Sequence, residues 1–159
     1  MKAKIMEFIL LADEPNAYKQ VARWYFDQWL ANIPDMAIDK IETKLSSYVN
    51  RDKAPLLVLA KSKGELIGAV ELKIREMDIY PDYEHWIGGV YVKDQERGNG
   101  VATKLVQEVV MQARRLGVEK LYIQTEKLDG GIYSKEGFSL IEQVLYKGHY
   151  VSVMQAELV

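Results

Sequence analysis

At 159 residues, 48% apolar and 28% charged, the chain can bury one core, is short for two domains and is too apolar to be disordered. A formal net charge of −2 argues against a general grip on nucleic acid. The lack of cysteine excludes disulfides, thiolate metal sites and a cysteine nucleophile, and two histidines, His85 and His149, are too few to suggest a zinc site. The apolar opening at residues 5–11 is short and carries Glu7, which makes a poor signal peptide, and no later run approaches membrane-spanning length. The expectation is a single cytoplasmic domain over 1–159 with no membrane or nucleic-acid partner.

Residues 3–12, with Ile5, Phe8, Leu10 and Leu11, read as a first strand. Asp13 is placed to cap a helix and Pro15 suits its first turn. Tyr18, Val21, Ala22, Tyr25, Trp29 and Leu30 then recur at helical spacing. The aromatic cluster Trp24-Tyr25-Phe26 with Trp29 fits either core packing or the wall of an acceptor pocket. Asp35 is expected to cap a second helix carrying Ile38, Ile41, Leu45 and Tyr48 on one stripe. Residues 56–60 and 66–74 read as a hairpin around Lys63-Gly64, and 85–92 as a strand so apolar that both its faces should be covered. A helix over 101–116 should bury Ala102, Leu105, Val106, Val109, Val110 and Ala113, with Gly117 closing it. Residues 121–125 complete a βαβ crossover, 132–136 make a short helix, and 138–146 with 149–158 form a last hairpin around Lys147-Gly148.

The stretch from Trp86 to Thr103 organises this order: an apolar strand enters a glycine-bearing turn, Gln95-Glu96-Arg97-Gly98-Asn99-Gly100, which opens the long helix. Glycine permits backbone conformations barred to other residues and lets a ligand approach closely. The amides of a first helical turn lack partners inside the helix, and the dipole there favours an anion. Two familiar phosphate motifs do not fit: Val101 follows Gly100 where a P-loop needs Lys, and Thr103 stands where the dinucleotide fingerprint needs Gly or Ala. A nucleotide-phosphate enzyme is thereby disfavoured.

Gln95, Gly98 and Gly100 after an apolar strand satisfy Gln/Arg-x-x-Gly-x-Gly/Ala, and Ile132-Tyr133-x-x-x-Gly137-Phe138 follows at a suitable distance. Together with the element order, these resemble the GNAT superfamily of N-acetyltransferases across essentially the whole chain. Trp86-Ile87-x-x-Val90-Tyr91-Val92, Leu121-Tyr122-x-x-Thr125 and Tyr146-Lys147-Gly148-x-x-Val151-x-x-Met154 are similar to a bacterial subgroup with no settled acceptor. The resemblance implies an α/β fold: a mixed, mostly antiparallel sheet of about seven strands flanked by about four helices. It also implies acetyl-CoA as co-substrate, no metal, and direct transfer to a primary amine of a small-molecule or peptidic acceptor, by a monomer or homodimer.

It further implies that the backbone of Val90, Tyr91 and Val92 pairs with the pantetheine arm. Gln95, Glu96, Arg97, Gly98, Asn99, Gly100, Val101, Ala102 and Thr103 would form the pyrophosphate loop, with Arg97 either in charge-assisted contact or simply solvated. Tyr133 matches the tyrosine that protonates the leaving thiolate, and a core tyrosine is its other reading. Glu84, eleven residues before Gln95, stands where some relatives place a base; Asp82, Glu71 and His85 compete for that role. Glu126 replaces an Asn that binds pantetheine in many relatives. The acidic stretch Glu76, Asp78, Asp82 and Glu84 suggests a cationic acceptor if it rims the cleft. A non-catalytic acyl-CoA sensing module on the same fold is the alternative function, because a fold does not fix an activity.

Overall fold

Alternating apolar residues build the centre of the molecule. In the computed structural model, which describes residues 5–159, Leu56, Val58 and Ala60 face one side of a strand while Leu57 and Leu59 face the other. This period of two lets one strand serve two cores. The strands are β1 (Glu7–Leu10), β2 (Leu56–Ser62), β3 (Glu65–Ile74), β4 (His85–Val92), β5 (Lys120–Thr125), β6 (Ser139–Tyr146) and β7 (His149–Glu157). They form one sheet in the order β1-β2-β3-β4-β5-β7-β6, antiparallel except where β4 meets β5.

Helices α1 (Tyr18–Tyr25) and α2 (Ile38–Ser46) close one core over Leu57, Leu59 and Ala69. Helix α3 (Val101–Arg115) closes the other with Val101, Leu105, Val106, Val109 and Ala113, while the short α4 (Ile132–Lys135) lies near its edge. The first expected strand is shorter than its alternation suggested, and the part at residues 3 and 4 lies outside the described residues. Asp35 does not cap α2. Its φ of 61° takes the chain through a turn, its carbonyl accepts from Lys40 Nζ, and Ala37 is the cap position. Val101 enters the core fully whereas Ala102 and Val110 only border it, because the stripe facing the sheet runs through Val101, Leu105, Val109 and Ala113. No helix among the described residues is long and apolar enough to cross a membrane.

Leu105 has no exposed surface and packs between α3 and the sheet. Leu105→Ala is therefore expected to lower unfolding free energy by about 2–5 kcal/mol through lost burial and a residual cavity. A denaturant titration would read this as a fall in midpoint without a change in slope.

Two irregularities in the sheet create the functional surface. Between Ala69/Glu71 of β3 and Tyr91/Gly88 of β4, two residues advance on one strand and three on the other, so β4 bulges around Gly89. The bulge flips the pleat: Ile87 faces the α3 core before it, while Val90 and Val92 pack there after it. Parallel β4 and β5 register only at Trp86↔Tyr122, and beyond that point no ladder joins them. The expectation that β4 is covered throughout is thereby corrected: Gly88 to Tyr91 are only half buried, because the strands splay there.

Candidate active site

The turn after β4 is shaped by glycine. Gly98 and Gly100 have φ of +82° and +78°, and a Cβ built at either would meet nothing within 4 Å. The left-handed backbone explains why these residue types stand here, and the open space lies on the ligand side. In α3 the amide of Lys104 donates to the Gly100 carbonyl at 3.2 Å, while no side chain caps the helix. The amides of Val101, Ala102 and Thr103 consequently have no acceptor within the helix, at its positive end.

These amides line a cleft of about 410 Å³ that runs back along β4. Val90, Tyr91, Val92, Glu96, Arg97, Gly98, Gly100, Val101, Ala102 and Thr103 all border it, whereas Gln95 is exposed on the loop and, like Asn99, does not border it. Arg97 is not simply solvated, one of the two readings open at the sequence level. Its Nε donates to the Val92 carbonyl at 2.9 Å, its terminal nitrogens reach Asp94 and Gln28, and its guanidinium lies over the Tyr91 ring. The side chain braces the loop against β4.

Tyr133 lines a second cleft, of about 610 Å³, which opens where β4 and β5 separate and shares Val90 and Trp29 with the first. Burial, with a smaller contribution from the Glu76 charge, pushes its phenol up to about 12. Both causes disfavour the phenolate, so the group holds its proton at neutral pH. The Phe138 ring stands edge-on to it at 5.8 Å.

A third cleft, of about 480 Å³, lies between α1, α2 and the middle of β3 and β4. After Tyr25 the helix loosens into a π turn, Phe26–Leu30, closed by the Ala31 amide on the Phe26 carbonyl. Such an insertion redirects the side chains that follow it. Trp29 is 46% exposed and borders all three clefts, with its ring edge-on to Tyr91 at 6.0 Å. The aromatic cluster thus divides between the two readings open at the sequence level: Tyr25 is core, Trp29 is pocket wall, and Trp24 stacks on Tyr91 at 5.0 Å. Tyr25 Oη donates to the Gly89 carbonyl at 2.5 Å and secures the bulge.

Glu84 borders none of these three clefts; its half-exposed carboxylate lies 3.9 Å from Arg75. Two more members of the acidic stretch are engaged, Glu76 on Lys73 at 2.8 Å and Asp78 accepting from Tyr146 Oη at 3.1 Å. Glu126 borders the second cleft but pairs with His149 Nδ1 at 2.9 Å. Sequence reasoning did not single out Gln28, Lys44 or Lys73, which reach the clefts from elements distant in the chain. Only the aromatic cluster beside Gln28 signalled a wall there.

A Cβ at Gly89, where φ is +56°, would collide with Glu71 Oε2 and Tyr25 Oη. Gly89→Ala is expected to lower the melting temperature by several degrees and to cut turnover, since the bulge must shift; a thermal melt beside a thiol-release assay checks both.

An uncapped helix end beside a splayed pair of strands, with a protonated phenol at the split, is an arrangement able to take a long ligand with an anionic end. Residues 10–131 match the acetyltransferase (GNAT) family, and the chain belongs to that family, whose acyl donor is acetyl-CoA. Solved structures agree on the fold. An aminoglycoside 6'-acetyltransferase type Ii superposes with a TM-score of 0.71 at 17% identity, covering 98% of this chain and 97% of its own. An aminoglycoside 6'-N-acetyltransferase complexed with coenzyme A gives 0.71 at 16% identity, with the same 98% and 97% coverage. A chimeric spermidine N-acetyltransferase from Vibrio cholerae gives 0.70 at 18% identity, covering 96% and 95%. No curated protein matches the chain in sequence.

Proposed function

We propose that the protein is an N-acetyltransferase that moves an acetyl group from acetyl-CoA directly to a primary amine, with both substrates bound together. The observation that carries this reading is the meeting of the three clefts around Trp29, with Val90 shared by the first and second and Gly89 by the second and third. The amides of Val101, Ala102 and Thr103 would hold the pyrophosphate, and Gly98 and Gly100 would let it approach. The half-buried backbone from Val90 to Val92 would run beside the pantetheine arm. Acetyl-CoA supplies an activated acetyl thioester; the chain supplies alignment and the management of protons.

Tyr133 acts as the acid in this scheme, holding its proton at Oη until the departing sulfur needs it. An amine acceptor agrees with the aminoglycoside and spermidine enzymes of the same fold. A base role for Glu84 would require its strand end to turn toward the acceptor. The carboxylates of Glu71 and Glu76 already border the third cleft, the acceptor side in this reading. Without cysteine, no acetyl-cysteine can form, which favours direct transfer.

Calorimetric titration with CoA, beside thiol release from acetyl-CoA across a panel of amines, tests the proposal. Binding with turnover on an amine supports it. Binding without turnover on any amine favours a sensing module, and the absence of CoA binding refutes both.

A further inference from the structure

Glu71 sits in the third cleft at a cost that the fold does not need. It is 3% exposed, the one charged residue in the buried class among the described residues, and its Oε1 has no hydrogen-bond partner. A buried, unpartnered carboxylate oxygen is expensive. Burial, with a smaller contribution from the Glu76 charge, pushes the carboxyl up, against the opposing pull of Lys73, Lys44 and the neighbouring Tyr48 hydroxyl. Its Oε2 side lies against Gly89, at the bulge where the acyl-donor clefts begin.

The other charges of this cleft define what could use that oxygen. Lys73 and Glu76 satisfy one another at 2.8 Å, and Lys40 Nζ donates to the Asp35 carbonyl at 2.8 Å. Lys44 and Glu71 form the remaining pair, a loose ion pair at 3.9 Å with the Lys44 ammonium also near the Tyr48 ring; the separation is too long for a hydrogen bond, so each keeps capacity for one end of a small zwitterion. Lys44 is half exposed, so its ammonium can be reached, and Leu30, Met36, Ile41 and Leu45 give the remaining wall an apolar character. A polyamine would bring further ammonium groups to a wall whose three lysines already outnumber its two carboxylates, Glu71 and Glu76, a balance that disfavours added positive charge. An amine lacking an anion would compete with Lys44 for Glu71 and offer the lysine nothing in exchange.

Building on the acetyltransferase reading, we propose that the acceptor is a small amino-carboxylate with an apolar body, its nitrogen held by Glu71 and its carboxylate by Lys44. The acceptor then binds as an ammonium at its nitrogen and as an anion a few ångströms away; before the nitrogen attacks the thioester it gives up one proton, which the Glu71 carboxylate beside it accepts. Glu71 sets the nitrogen beside Gly89, and Lys44 selects for the anion.

The test is thiol release from acetyl-CoA with L-leucine, L-methionine and L-phenylalanine against n-pentylamine and spermidine, with CoA titration alongside. The expected result is a kcat/KM for an apolar amino acid at least about tenfold above those for pentylamine and spermidine. Lys44→Met should raise KM for the amino acid by about tenfold and erase that preference. Glu71→Gln, close in shape, should lower turnover of the amino acid while the heat of CoA binding stays at the wild-type value, which shows that the variant is folded. Turnover of spermidine or pentylamine equal to or above that of the amino acids overturns the proposal. So does CoA binding with no turnover of any amino acid, and so does wild-type activity in Glu71→Gln. Failure to bind CoA at all is a separate result, because it removes the acetyltransferase reading itself.

Discussion

Gly100→Trp is expected to abolish the heat of CoA binding, weakening affinity by at least about 100-fold, while leaving a folded protein. Position 100 has φ of +78° and caps α3 without any side-chain help. A residue with a Cβ in that conformation costs about 1–2 kcal/mol, which a domain of this size can absorb. The space above the glycine is open, so the indole need not displace protein atoms. It would instead occupy the region in front of the Val101, Ala102 and Thr103 amides, where the pyrophosphate is proposed to sit. Gly100→Ala serves as the control, carrying the backbone strain with little of the obstruction, and should retain measurable binding. Wild-type affinity in the Trp variant, with a normal thermal melt, would falsify the cradle.

Tyr133→Phe should lower kcat by about 100-fold or more and change CoA affinity by less than about twofold, since positioned acids contribute roughly this much and act chiefly in the transition state. The substitution removes one oxygen and keeps the ring that packs edge-on to Phe138, so little stability should be lost. The phenol titrates near 12 rather than at the ordinary 10, because burial and the Glu76 charge oppose its ionisation. The sign follows: below about pH 11 the proton remains on Oη, and only above it would the acid function be lost. An alkaline limb in the wild-type profile near pH 9 must then belong to another group, and it should persist in the residual activity of the Phe variant. Activity equal to wild type would remove Tyr133 from the chemistry.

The sequence carries the loop and its helix almost residue by residue. Strand β4 ends at Val92 and α3 begins at Val101 as their patterns predict, because apolar periodicity, Gly98 and Gly100 are local signals. The same locality makes Tyr133 legible, standing on a short helix between Gly131 and Gly137. Charge roles were not legible in this way. Glu84 and Glu71 are both glutamates on or beside strands, yet one is half exposed against Arg75 and the other is buried in the wall of the third cleft. Spacing to a motif cannot report burial, which depends on what another part of the chain lays over a residue.

By itself, then, the sequence determined the class of fold, the glycine turn that opens α3 and the short helix that carries Tyr133, all encoded within windows of a few residues. The tertiary structure alone decided that β4 bulges at Gly89 and parts from β5 beyond Trp86, because register between strands is a property of pairs. It alone carried Trp29 from a π turn to the meeting point of three clefts. It also set Glu71 and Lys44, far apart in sequence, on one wall. Local patterns fix which elements form; the free energy of closing two cores on one sheet fixes which side chains are left facing the space between them.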